Sequence, residues 1–202
     1  MQLAHAGRKA STYSPFARGS GSVAEADGGW RTVGPTADAF GRYAAPLALD
    51  EAGIRRVIAD FARAAERSVE AGFDTIEIHA AHGYLLHQFM TPLVNTRTDG
   101  WGGSEEGRNR LTLEVVDAVR AVIPESMPLL LRISATDWTD GGLDEHTSAR
   151  LAVQARGRGV DLVDVSTGEP FRRPPFPSPR GTRPDSPSTS ARRQVFPPPP
   201  SA

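Results

Sequence analysis

Residues 74–89 read DTIEIHAAHGYLLHQF, and this stretch decides the fold. The β-branched residues ahead of His79 predict a strand over 74–80. Residues 84–91 predict a short helical patch. A strand that closes on His79, followed by His82 and Tyr84, brings two imidazoles and a phenol to a strand C-terminus. In parallel α/β proteins that end of the sheet carries the chemistry.

Upstream, Asp50 is placed to cap a helix, with Glu51 in the positively polarised first turn. Leu49 and Ile54 have the spacing of a hydrophobic staple. Ile54, Val57, Ile58, Phe61, Ala65 and Val69 recur at three and four residues and define one apolar face. Gly72 supplies the stop. Downstream, Ser104 caps a second helix with the stripe Leu111, Val115, Val119 and Val122. Gly107 near its start costs about 1 kcal/mol relative to Ala. LLLRIS (129–134) is a near-continuous apolar run, as in a parallel strand buried on both faces. Residues 141–159 contain a third helix and 160–166 another strand. Residues 1–8, MQLAHAGR, read as the end of a strand entering a turn. Residues 9–49 show no sustained periodicity, which marks a functional or disordered connection.

Alternating strands and helices mean a parallel sheet with crossover helices. Two closures fit: an open doubly wound sheet or a (β/α)8 barrel. No GxGxxG follows a strand and no GxxxxGK[ST] occurs. Polar residues instead sit at strand C-termini: Gln2, His5, His79, Arg132 and Ser166. This favours a barrel, incompletely encoded.

Composition sets further bounds. The chain has 202 residues and a formal net charge of −1, which argues against nucleic acid as a main partner. No apolar run approaches the roughly 20 residues of a membrane span. No signal-like apolar region follows Met1. Cysteine is absent, which excludes disulfides, thiolate metal sites and a cysteine nucleophile. A cytoplasmic protein is expected. Lys9 is the one lysine of the chain, which reads as coding bias. Residues 170–202 hold 11 of the 17 prolines and a single acid, Asp185. Such a stretch buries too little apolar surface to offset its ordering entropy. The expected division is therefore an α/β domain over 1–168 and a disordered Pro/Arg/Ser-rich tail over 169–202.

The histidine constellation admits three readings. His79 and His82 can donate hydrogen bonds to an oxygen that gains negative charge, with Tyr84 delivering a proton. Alternatively His79, His82 and His87 bind zinc, with Glu77 the nearest carboxylate. In the third reading the imidazoles only satisfy backbone groups. Asn95, Arg97, Asp99, Gly102 and Gly103 read as a solvated loop. Trp101 and Trp138 fit either cavity lining or surface packing.

HAAHGYLLHQFMTPLVNTRTDGWGGSEEGRNR (79–110) resembles the Old Yellow Enzyme family of flavin-dependent NAD(P)H dehydrogenases and ene-reductases, and so does QLAHAGRK (2–9). FARAAERSVEAGFDTIEIHAAHGY, LLLRIS and GVDLVDVSTG follow in the family's order. The resemblance covers residues 1 to about 168. It implies a partial TIM barrel, about strands 3 to 6 with their helices, truncated at both ends. It also implies FMN at the C-terminal mouth and NADPH or NADH as hydride donor. Gln2 and Arg132 match the family's flavin contacts. His79 and His82 match the pair that binds an enone carbonyl oxygen, and Tyr84 matches the proton donor. No metal is implied. The implied partner is a small activated alkene, and a homo-oligomer is possible within the family. Without the resemblance, Arg132 reads as a buried ion-pair partner, with Glu77 a candidate.

Three departures stand out. Met1 immediately precedes Gln2, where the family barrel has two strands and most of a third. Glu106-Gly107-Arg108 replaces Glu-Asn-Arg. The resemblance ends after Gly168. The competing expectations are a fragment unable to hold FMN, a histidine-based metal-dependent hydrolase, and an interaction protein acting through its proline-rich tail.

Overall fold

A computed structural model describes residues 1–14, 16, 17, 19–167 and the backbone of 193–195. Seven strands and four α-helices follow in order: β1 (Gln2–Leu3), β2 (Val33–Gly34), β3 (Leu47–Ala48), α1 (Glu51–Glu70), β4 (Ile76–Ala80), α2 (Leu85–Met90), α3 (Glu105–Arg120), β5 (Leu129–Ser134), α4 (Glu145–Arg156), β6 (Leu162–Ser166) and β7 (Arg193–Val195).

The helices begin where their caps require. Asp50 accepts the Gly53 N–H at 2.7 Å and Ser104 accepts the Gly107 N–H at 3.1 Å. Asp144 and Thr147 form a reciprocal capping box on α4. Gly107 corrects a simple propensity reading. A Cβ there would lie 2.2 Å from the Gly102 carbonyl oxygen, so glycine admits the loop against the first turn of α3.

The main sheet has the order β1-β4-β5-β6-β7. The first four strands are parallel and in sequence order, with no reversal of direction across the sheet. α1 packs on α3 and α3 on α4, so the helices form one layer. Sequential parallel strands under a single helix layer are a barrel sector. A doubly wound sheet would reverse its strand order and carry helices on both faces.

The two faces of the sheet differ. Ile76, Ile78, Leu129, Leu131, Ile133 and Val163 are buried together with Ile54, Val57, Phe61 and Val115 in the core. On the other face Leu130, Arg132, Leu162 and Asp164 are only half-buried. The run 129–134 is thus sealed on its helix side alone among the described residues, not on both faces. Residues 32–48 contain a short parallel ladder of β2 with β3. Two residues per strand are too few to leave a period in the sequence.

The expected tail over 169–202 lies outside the described residues, apart from β7. That segment pairs antiparallel with β6, placing Val195 opposite Leu162 and Arg193 opposite Asp164. The sequence reading expected no strand there. An open sheet edge offers unpaired N–H and C=O groups to any extended segment, whatever its pattern. No helix among the described residues is long and apolar enough to cross a membrane.

Candidate active site

Register assembles the site. Gln2 lies opposite Glu77, and two residues further along His79, Arg132 and Asp164 form one row across β4, β5 and β6. Period-2 alternation puts all five on the half-open face. The row ends in charge pairing: Arg132 Nε lies 3.5 Å from Asp164 Oδ2. Glu77 instead accepts a hydrogen bond from Gln2 Nε2 at 2.6 Å. Asp164, not Glu77, is therefore the partner of Arg132, because the register places Asp164 directly alongside. Arg132 Nε is buried and has no hydrogen bond of its own.

His79 is 6% exposed, and its Nδ1 accepts the Ala81 N–H at 3.1 Å. That bond fixes the tautomer with the proton on Nε2. Burial is the largest influence on its pKa. Electrostatic coupling to the neighbouring His82, Arg132 and His87 lowers it further against the pull of Asp164, and the pKa falls to about 4. His79 is thus a neutral N–H donor at physiological pH.

His82 sits at φ +58° and Gly83 at φ +69°. The left-handed region costs a non-glycine residue of order 1 kcal/mol and survives where the surroundings over-determine it. Side chains hold this turn from several directions. The His82 N–H donates to Ser134 Oγ (3.0 Å), and the His82 carbonyl accepts from Lys9 Nζ (2.8 Å). The Gly83 N–H donates to His87 Nδ1 (2.8 Å), and the Gly83 carbonyl accepts from Gln88 Nε2 (2.7 Å). The His82 ring lies 5.0 Å from that of His79, and its Nε2 is 2.7 Å from Ser166 Oγ. Tyr84 occupies the N-cap position of α2, with its ring edge-on to His79 at 5.2 Å. Lys9 Nζ lies 5.6 Å from the Tyr84 ring centroid and 4.5 Å from that of Phe40.

The structure therefore brings His79, His82, Tyr84 and Arg132 together on one face, with Gln2 one row away. His87 does not join them. Its Nε2 contacts Asp137 Oδ1 at 3.0 Å, so both ring nitrogens are engaged behind the turn. The three-histidine zinc arrangement finds no support in this geometry: no group of three or more potential ligands converges among the described residues. His5 Nδ1 accepts the Gly7 N–H at 3.0 Å, and burial lowers its pKa.

Sequence reasoning missed Lys9, Asp164 and Ser134. Counting register from the ends of β5 and β6 could have paired Asp164 with Arg132. Lys9 carried no local signal beyond its rarity.

The loop residues are structural. Asn95 Nδ2 donates to the Phe89 and Trp101 carbonyls, both at 2.7 Å, and Arg97 Nη1 donates to Pro35 and Leu49 carbonyls. Trp101 is buried, with the guanidinium groups of Arg55 and Arg110 over its ring at 4.9 and 4.1 Å. Trp138 is 68% exposed. A wide groove beside α3 and α4 is lined by Arg110, Glu114, Asp117 and Arg158. These side chains are already ion-paired, Arg110 with Glu114 along α3 and Arg158 with Asp117 between the two sides.

The sequence profile of the NADH:flavin oxidoreductase / NADH oxidase family matches residues 1–193. The chain belongs to this family. The match extends beyond residue 168, where the motif-based resemblance ended. The chain is 47% identical over 182 residues to the NADH:flavin oxidoreductase FG08077 of Gibberella zeae, covering 83% of this chain and 44% of that protein. It is 43% identical over 169 residues to the NADPH dehydrogenase of Bacillus subtilis, covering 83% and 45%. Among solved structures it is similar to 2-naphthoyl-CoA reductase in complex with 2-naphthoyl-CoA. That match has a TM-score of 0.72 and 26% identity, over 84% of this chain and 26% of that one. It is also similar to the Old Yellow Enzyme homologue of Zymomonas mobilis (TM-score 0.60, 28% identity, 67% and 42% coverage). The chain thus spans a little under half the length of these curated relatives.

Proposed function

We propose that this chain carries the substrate-facing site of an FMN-dependent NAD(P)H oxidoreductase that reduces an activated alkene. The single observation that carries the proposal is the convergence of a neutral His79, His82 and Tyr84 beside Arg132 at the strand C-termini. Family membership supports FMN and NAD(P)H as cofactors.

The residues present suit a flavin. Arg132 has a buried Nε without a hydrogen bond, and its fixed positive charge would favour the reduced state of a flavin held there. Gln2 offers an exposed amide one row away. When bound, FMN would supply the hydride chemistry that links NAD(P)H to the alkene.

The chain's own groups do the rest. His79 Nε2–H donates to the carbonyl oxygen of the substrate, and the bond strengthens as negative charge gathers there. Because His79 is neutral over the physiological range, it stabilises this charge without giving up its proton. His82 is the second donor, and a substrate oxygen that meets its Nε2 displaces the Ser166 hydroxyl. Tyr84 delivers its phenolic proton to the α-carbon. Single-turnover kinetics of the flavin-loaded protein with an enone test the proposal. Alkene-dependent reoxidation that is lost in Tyr84→Phe supports it. Reoxidation indifferent to Tyr84, His79 and His82 overturns it.

A further inference from the structure

Behind the catalytic turn lies a polar network that the proposed reaction does not use. His87 on α2 and Asp137 in the β5–α4 loop are both fully buried. Asp137 Oδ1 meets His87 Nε2 at 3.0 Å. Its Oδ2 accepts from Thr91 Oγ1 at 2.6 Å and from the Leu143 N–H at 2.8 Å. His87 Nδ1 in turn accepts the N–H of Gly83, the residue between His82 and Tyr84. A backbone N–H can only donate, so Nδ1 must be the unprotonated nitrogen and Nε2 must carry the proton. The carboxylate at Nε2 selects that tautomer.

We infer that Asp137 and His87 are positioning residues: Asp137 fixes the His87 tautomer, and His87 thereby fixes the Gly83 amide that aims His82 and Tyr84. The catalytic relevance of that aim rests on the functional reading above. The placement itself does not.

Chemistry makes one substitution sharply informative. In Asp137→Asn the side chain keeps its shape. The position of Oδ2 faces the fixed Leu143 N–H, so it must remain an oxygen. The new NH2 group therefore faces His87 Nε2 and donates to it. The ring proton is forced to Nδ1, where it opposes the Gly83 N–H donor to donor. The turn loses its anchor although nothing has been removed from the core.

The experiment uses the full 202-residue chain with 15N-labelled histidine and glycine. The expected result for Asp137→Asn is transfer of the His87 ring proton from Nε2 to Nδ1, with displaced Gly83 amide and His82 ring resonances. A His87 ring that keeps its Nε2 proton, or a His82 ring that does not move, overturns the inference. A second pair of variants covers failure of Asp137→Asn to fold. His87→Asn places an amide oxygen where Nδ1 accepts the Gly83 N–H, whereas His87→Leu offers no acceptor. The His82 signals should stay in place in His87→Asn and shift in His87→Leu, and equal shifts in both overturn the inference. A purely structural role would lower the unfolding midpoint in both variants without this rescue. These readouts need neither flavin nor turnover, so they stand apart from any failure of the alkene reading. In flavin-loaded protein the alkene step should fall roughly 10- to 100-fold in His87→Leu, with flavin reduction by NADPH held within about twofold.

Discussion

His79 and Arg132 occupy directly opposed positions on β4 and β5, and the guanidinium is one of the charges that keep the imidazole neutral. The donor of the site and the cation beside it are therefore electrostatically linked. The linkage has consequences for stability as well as for chemistry.

The first concerns pH. Folded His79 takes up its proton only near pH 4, whereas the ordinary value is 6.5. Between these values the unfolded chain binds more protons, so stability is full above about pH 6.5 and declines as pH falls toward 4. The site face is open to water, so the loss is discounted to about 1–3 kcal/mol. His5, whose pKa burial also lowers, adds to the slope in the same direction. Urea unfolding at pH 7.5, 6, 5 and 4.5 should show the decline, and His79→Asn should flatten it in part. An unchanged slope in that variant would count against a neutral buried His79.

Tyr84→Phe removes the phenolic hydroxyl and keeps the ring. Alkene reduction should slow by about 10²-fold or more, with flavin reduction by NADPH unaffected. Stopped-flow measurement of the two half-reactions separates them. Equal loss in both would exclude Tyr84 as the proton donor.

Gly107→Ala tests a packing claim outside the site. Alanine is the better helix former by about 1 kcal/mol, yet its methyl group would overlap the Gly102 carbonyl. We expect a net loss of about 1–3 kcal/mol in denaturant unfolding. A gain in stability would mean that the loop moves aside at little cost.

We expect association from the sheet edge that is unpaired among the described residues. Among the described residues β1 has a neighbour on one side only, and Leu130 and Leu162 are half-buried on the inner face. Barrel closure takes about eight strands, and open edges with apolar faces recruit other chains. Sedimentation velocity on the 202-residue polypeptide should show concentration-dependent association. A monodisperse monomer that unfolds cooperatively would contradict this.

The sequence carried much of this, and the gaps have physical reasons. The caps Asp50 and Ser104 and the stripe from Ile54 to Val69 are local signals, and the structure reproduces them. The strand at 76–80 and the cluster of His79, His82 and Tyr84 were legible because side-chain type and spacing coincide there. Non-local partners were not. Asp164 meets Arg132 through the register of two strands, Lys9 meets His82 across 73 positions, and Asp137 meets His87 across 50. Such contacts leave no periodicity. The left-handed conformation of His82 was equally silent, because the side chains that hold it come from three separate segments.

The most direct test of the account is a titration of FMN into the purified chain, followed by quenching of flavin fluorescence, with Arg132→Ala alongside. The account expects saturable one-to-one binding that weakens by about tenfold or more in the variant, since a charge-assisted contact is lost. An absence of binding, or an affinity indifferent to Arg132, would contradict the assignment of this face to a flavin.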